Sequence, residues 1–178
     1  MHTHLEEVLS RLDRARATLR HAVDQVPSAQ QRQRPEPNRW SAAEVVEHLT
    51  LVERIFGGRI VNALDAARSA GLTTEAHARA PLPDPIEQRM SDRVNKRQAP
   101  DTAHPTGTVD AATGLATLES NHATLRAALV GCDGLALSQV TLDHAFFGTM
   151  NVYQWVELMA AHEGRHTEQI KEIAAALA

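Results

Sequence analysis

The chain has 178 residues, of which 43% are hydrophobic and only 3% aromatic, so it suits one domain with a core of closely packed helices. Its formal charge of −4 gives no reason to expect nucleic acid as a partner, and its single cysteine, Cys132, excludes an internal disulfide and a cysteine-based zinc site. The first 20 residues are charged throughout and no apolar run approaches the roughly 20 residues of a membrane span, which predicts a cytoplasmic protein without membrane contact.

Two amphipathic helices are predicted in the first 70 residues. Apolar residues at alternating spacings of three and four draw one stripe along residues 5–26, and Pro27 ends that helix. Ser41 and Glu44 have the spacing of a capping box and mark the start of a second helix. Its apolar stripe continues to about Ala70.

The middle of the chain is predicted to be a long crossover. Residues 71–107 contain five prolines and show no clear period, so we expect one short helix there, around residues 86–97. A third long helix is predicted for residues 109–130, a loop for residues 132–150, and a last helix from about Asn151 onward.

Together these elements predict the fold class. Four amphipathic helices, with the long crossover between the second and the third, are typical of an all-α four-helix bundle. No internal repeat or composition shift marks a boundary, so a single domain is predicted for residues 1–178.

The last predicted helix contains two histidines four residues apart, His162 and His166, which therefore project from one face. They lie on an apolar stripe, where each imidazole would need a hydrogen-bond partner and would be costly to protonate. A divalent metal ion bound to both neutral rings would meet this need. A pair of core histidines with ordinary hydrogen bonds would meet it equally well.

His48 lies on the inward stripe of the second predicted helix, between Val45 and Val52. Three histidines on the buried stripes of two helices are hard to explain by packing alone. A site with three histidine ligands leaves at least one metal position open, as in catalytic zinc sites. Zinc, nickel and iron all accept imidazole, so the pattern predicts one divalent transition metal without choosing among them.

Four segments resemble those of the DinB-like family and follow the family's order. Residues 38–49 resemble its Trp-Ser…Glu…His-Leu segment, and residues 162–170 resemble its closing His-x-x-x-His-x-x-Gln-Ile segment. Residues 99–107 are similar to the Pro-Thr-Gly start of its third helix, and residues 144–155 to the loop before its last helix. The resemblance implies a four-helix bundle that holds a metal ion through three histidines. These are His48, His162 and His166.

The resemblance also implies an activity. DinB-like relatives include metal-dependent transferases that use low-molecular-weight thiols, isomerases and hydrolases. By resemblance we expect a metal-activated thiolate or water that attacks a small electrophilic molecule, with residues 71–107 shaping the substrate mouth. A homodimer is a candidate assembly, because related bundles are often dimers. The alternatives are a stress-associated bundle in which the metal only secures the fold, and an interaction module without metal.

Residues 162–166 also match His-Glu-x-x-His, the signature of zinc proteases in which the glutamate is the general base. Only twelve residues follow His166, and they include no His or Asp to act as a third ligand. We therefore expect Glu163 to lie on a solvated helix face, with a role as a base at another kind of site as the alternative.

A di-iron carboxylate bundle is a second competing interpretation. Two Glu-x-x-His segments, residues 119–122 and 163–166, have the spacing that such sites require. Glu44 or Glu47 would supply a third carboxylate. The first helix offers only glutamates near its start, and this interpretation leaves two of the stripe histidines unused.

Besides Glu163, three further residues are candidates for the pocket or for support of the ligands. Gln169, one turn beyond His166, is expected to bond a metal-bound molecule or to support that histidine. His122 is expected to be a core histidine bonded to a carbonyl, with a place in the pocket wall as the alternative. The capping role of Glu44 is enough to explain its presence one turn before His48. His144 is expected to fix the conformation of a loop.

Overall fold

The structure is a computed structural model that describes residues 1–76, 80–95 and 98–178. It is mainly helical, as the sequence predicts. The helices are α1 (Thr3–Asp24), α2 (Ala42–Ser69), α3 (Asp84–Ser91), α4 (Ala111–Val130) and α5 (Val152–Leu177). An antiparallel hairpin of β1 (Thr141–His144) and β2 (Gly148–Asn151) precedes α5. None of the helices in the described ranges combines the length and the apolarity needed to cross a membrane.

Side-chain caps fix the starts of two of the long helices. Ser41 Oγ accepts the backbone N–H of Glu44 at 3.2 Å, and the Glu44 carboxylate accepts the backbone N–H of Ser41 at 2.8 Å. The predicted capping box is therefore confirmed. Asn151 and Gln154 form a second capping box, which starts α5 where the sequence predicts.

The bounds of two other helices differ from the prediction. α4 begins two residues late because Asp110 accepts the backbone N–H of Thr113 and so acts as the N-cap. α3 begins before residue 86 because Pro85 stands in its first turn, where proline is tolerated. It also ends before residue 97, and residues 96–97 lie outside the described part of the chain.

The segment predicted as a loop, residues 132–150, contains the hairpin. Thr141 pairs with Asn151 and His144 with Gly148, which has a φ of +75° at the tight turn. Each strand has only four residues, too few for a period-two pattern to stand out in the sequence.

The long helices pack mainly in pairs, α1 along α5 and α2 along α4. Their buried apolar residues form two clusters at opposite ends of the helices. One surrounds Trp155 and Tyr153 near the hairpin, and the other surrounds Leu19, Val45 and Ile170. Burying each such side chain stabilises the fold by about 1.5–3 kcal/mol.

A layer of buried polar side chains separates the two apolar clusters. Each long helix contributes at least one of them. They are Arg16 of α1, Glu53 of α2, His122 of α4, and Glu163 and His166 of α5. The histidines of interest lie in or beside this layer.

Candidate metal centre

His48 of α2 meets His162 and His166 of α5 at one point. The nitrogen atoms that the three rings offer all lie within 4.8 Å of one another. The Nε2 atoms of His162 and His166 are 3.1 Å apart, and the ring of His48 lies 4.8 Å from that of His166 between centroids. Within residues 1–76, 80–95 and 98–178 this is the one group of three or more His, Cys, Asp or Glu side chains so arranged.

Hydrogen bonds on the far ring nitrogens orient two of the three rings. His48 Nδ1–H donates to the carbonyl oxygen of Ala103 at 2.7 Å, and His166 Nδ1–H donates to Gln169 Oε1 at 2.9 Å. Because a carbonyl oxygen only accepts, the proton of each neutral ring is on Nδ1. The Nε2 atom of each of these two rings is then unprotonated and can serve as a ligand for a cation.

Burial keeps the three rings neutral. Loss of hydration, with the neighbouring His48 and Arg165 adding to it, lowers the pKa of His162 to about 3. Burial also lowers the pKa of His166 well below its usual value, and it lowers the pKa of His48. Since only unprotonated imidazole binds a metal, the rings are in the binding form at neutral pH.

The donor set fits a divalent transition-metal ion. Imidazole nitrogens bound tetrahedrally to zinc at 2.0–2.1 Å lie about 3.4 Å from each other, close to the 3.1 Å between His162 and His166. Three neutral nitrogen donors without a carboxylate suit zinc, nickel or iron, whereas magnesium and calcium prefer oxygen ligands.

The histidines form part of the wall of a cavity of about 470 Å³, a size that suits a small organic molecule. Aromatic rings line it beside them. Trp40 packs on His48 with 5.0 Å between ring centroids, and Phe147 stacks on His144 at 4.7 Å. The three clustered histidines are therefore reached from an open cavity rather than enclosed.

The comparisons with known proteins agree with this architecture. A model of the DinB superfamily matches residues 11–170, a range that includes all three clustered histidines. The chain belongs to the DinB superfamily. It is similar to the uncharacterized protein YuaE of Bacillus subtilis (strain 168), with 27% identity over 145 residues that cover 79% of this chain and 81% of that relative. No solved structure shows a significant match to the chain.

Two other predicted residues of this DinB-superfamily protein have supporting contacts. Gln169 accepts the Nδ1–H of His166 and also lines the cavity, so both of the roles expected for it stay open. Glu44 caps α2 and also accepts hydrogen bonds from the guanidinium of Arg34. Glu44 does not line the cavity.

Glu163 does not lie on a solvated helix face, so that prediction is wrong. Its side chain is only 5% exposed, and both of its oxygens accept hydrogen bonds from Arg16, at 2.7 and 3.1 Å. Arg16 also donates to Glu53 Oε2 at 2.9 Å. Since Arg16 binds both oxygens of Glu163, the structure also argues against the general base that the zinc-protease interpretation needs.

His122 is a buried histidine, as predicted, but its partner is a carboxylate. Its Nε2–H donates to Asp13 Oδ1 at 2.7 Å, and it does not line the cavity. Glu119, three residues earlier, is half-buried and pairs with Arg20 at 3.3 Å. Among the described residues no cluster of candidate metal ligands joins the two Glu-x-x-His segments, which argues against the di-iron interpretation.

Three polar residues have places near the centre that were not predicted from the sequence. His144 accepts the backbone N–H of Phe146, in keeping with its expected role in the loop, but its ring also lines the cavity. Arg16 and Glu53 form the buried ion pairs below the histidines. In the sequence, Arg16 and Glu53 appear only as charged residues next to an apolar stripe. Charged side chains in such positions are far more often exposed to solvent, so nothing in the sequence predicted their burial.

Proposed function

We propose that this protein is a metal-dependent enzyme that acts on a small electrophilic molecule by group transfer or hydrolysis, with a low-molecular-weight thiol as candidate cosubstrate. In this proposal His48, His162 and His166 hold one divalent transition-metal ion. Such a cation supplies Lewis acidity, which lowers the pKa of a water or thiol beside it. The observation that supports the proposal is a cluster of three neutral imidazoles at the wall of an open cavity.

The residues around the cluster would position the ligands and the substrate. Ala103 and Gln169 hold two of the rings through their Nδ1 atoms, so that the Nε2 atoms face inward. Trp40 and Phe147 supply apolar walls that exclude water from part of the cavity. Membership of the DinB superfamily supports both the metal and the class of reaction.

The proposal includes the architecture around the site. We propose that α1, α2, α4 and α5 form a four-helix bundle and that residues 1–178 are a single domain. The pairing of α1 with α5 and of α2 with α4 supports this, and so does the polar layer to which all four helices contribute.

Metal content tests the ligand assignment. Purified protein should contain about one metal ion per chain, and His48→Ala, His162→Ala and His166→Ala should each lose nearly all of it. His144→Ala is the matched control, because His144 lines the same cavity outside the cluster and should keep the metal. Full metal content in the three variants would refute the assignment.

Access to the metal and turnover test the enzymatic part. Protein loaded with cobalt should change its visible spectrum when a small thiol is added, and it should conjugate or hydrolyse some members of a panel of electrophiles. If removal of the metal lowers the melting temperature while no thiol changes the spectrum and no substrate turns over, the metal only stabilises the fold.

A further inference from the structure

As far as the described residues show, the cavity beside the clustered histidines is lined by arginines and by no acidic residue. The described part of its wall includes four guanidinium-bearing residues, namely Arg39, Arg89, Arg93 and Arg165. No Asp or Glu is found among its lining residues in the described part of the chain. The sequence as a whole has 22 acidic and 18 basic residues, so this local excess of positive charge runs against the composition.

Acidic residues outside the cavity wall offset only part of this charge. Glu172 is shared by two of the arginines, at 3.3 Å from Arg39 and 2.8 Å from Arg93. Arg39 also contacts the exposed Glu36 at 3.4 Å. Neither carboxylate belongs to the described cavity wall, so we expect the field inside the cavity to be positive.

The remaining two guanidinium groups have different surroundings. Arg165 donates to the backbone carbonyls of Met90 and Asp92, which are uncharged, and interacts with the Asp92 carboxylate, which also accepts a hydrogen bond from Asn95. Arg89 is exposed and has no hydrogen bond or ion pair with the described residues. A metal ion at the histidines would add further positive charge to the same cavity.

Apolar surfaces complete the cavity. Trp40, Phe56 and Phe147 contribute aromatic rings, and Ile55 and Met90 contribute aliphatic surface. An amphipathic cavity of this kind matches a ligand that has both an apolar body and a charged group. Guanidinium groups bind planar or tetrahedral oxyanions through paired hydrogen bonds.

We propose that the cavity selects small organic anions, with a carboxylate or phosphate bound by Arg89 and Arg93 and an apolar body packed against Trp40 and Phe147. This inference rests on the proposed function, because it names the class of molecule that the same site takes. Anion selection depends on the arginines, whereas the proposed metal-dependent activity depends on the histidines.

A matched set of phenylpropyl compounds tests the selection on the metal-loaded protein. 3-Phenylpropionate, 3-phenylpropanamide and 3-phenylpropylamine share one body and differ in charge, and phenylpropyl phosphate separates the two oxyanions. Calorimetric titration should give a dissociation constant for 3-phenylpropionate roughly tenfold lower than for the amide, with the amine weakest. The preference should shrink as salt concentration rises.

Variants identify the source of the preference. Arg89→Gln and Arg93→Gln should each lose most of it, whereas Arg20→Gln, an exposed arginine on α1 outside the cavity, should keep it. His162→Ala, which should lose the metal and its charge, should keep a reduced preference because the arginines remain. Circular dichroism of each variant confirms that it is folded.

The outcomes separate this inference from the proposed function. Equal affinity for the three compounds would overturn the inference, while the metal measurements would still decide the proposed function. A preference that is lost in His162→Ala but intact in Arg89→Gln and Arg93→Gln would mean that the anion binds the metal directly, which also overturns the inference. If the protein shows no activity that depends on the metal but still prefers the anion over the amide and the amine, only the proposed function is refuted.

Discussion

Arg16 of α1 donates a hydrogen bond from Nη2 to Glu163 Oε1 of α5 at 2.7 Å, and both side chains are 5% exposed. The same Nη2 donates to Glu53 of α2 at 2.9 Å. One guanidinium therefore links three helices directly beside the clustered histidines. Because His48 belongs to α2 and the other two belong to α5, this link helps to set the relative position of the rings.

Replacing Arg16 should destabilise the protein strongly. Arg16→Met leaves two carboxylates buried without a cation, and breaking such a buried pair costs about 3–5 kcal/mol. The free energy of unfolding, measured by urea denaturation at pH 7, should fall by that amount. Arg20→Met on the same helix removes an exposed pair with Glu119 and should stay within about 1 kcal/mol of wild type. Equal effects of the two changes would contradict the buried link.

Glu53 should make stability depend on pH. Burial raises its pKa from 4.5 to about 7, although the Arg16 guanidinium opposes the rise. Between these values the folded protein binds a proton that the unfolded chain does not, so the contribution of Glu53 to stability falls as pH rises from about 4.5 to 7. Above pH 7 it is constant.

The comparison of wild type with Glu53→Gln isolates this effect. In urea denaturation at pH 5, 6, 7 and 8, the variant should gain stability relative to wild type with each step up to about pH 7. Glu6→Gln, at an exposed position in the first turn of α1, is the control for the loss of one carboxylate. Parallel stability curves for wild type and Glu53→Gln would show that Glu53 titrates normally.

The long helices were predictable because their signals are local. The capping pattern of Ser41 and Glu44 and the apolar stripes each depend on a few neighbouring residues, and the structure confirms them. The pair formed by His162 and His166 follows in the same way from their spacing on one helix. The hairpin of residues 141–151 was missed because its strands are too short to show a period.

The contacts between helices were not available from periodicity. The distance between His48 and His162 depends on how α2 packs on α5. Their places on apolar stripes and the family resemblance both suggested that they meet, but neither gave the geometry. Glu163 was assigned to a solvated face because its helix was considered alone, whereas α1 covers that face and brings Arg16 to it. The positive lining of the cavity likewise arises from residues far apart in sequence.

Gln169 should contribute to metal affinity through His166. Its Oε1 accepts the Nδ1–H of that ring at 2.9 Å, and loss of such a partner typically lowers metal affinity about 10- to 100-fold. Gln169→Leu should therefore weaken zinc binding by that factor in a competition titration with a chromophoric chelator. Gln169→Glu keeps an acceptor and should stay near wild type, as should Glu168→Gln at the exposed neighbouring position. Unchanged affinity in Gln169→Leu would assign the residue to the cavity alone.

Two helical glycines should respond in opposite directions to alanine. A Cβ at Gly164, between the two histidines of α5, would meet no heavy atom within 4 Å, so Gly164→Ala should stabilise the protein by about 0.5–1 kcal/mol through helix propensity. A Cβ at Gly114 of α4 would lie 2.7 Å from Val46 Cγ1 of α2. Gly114→Ala should therefore destabilise by about 1–3 kcal/mol through overpacking.

The second effect has an internal check. If the clash with Val46 causes the loss, Val46→Ala should destabilise less in the Gly114→Ala background than in wild type, because it removes the clashing methyl groups. Denaturation of the two single variants and the double variant gives this coupling free energy.

Gly164→Ala should also retain its metal, because the added methyl group touches neither ring. A loss of metal in that variant would mean that the helix between His162 and His166 has to deform when the ion binds.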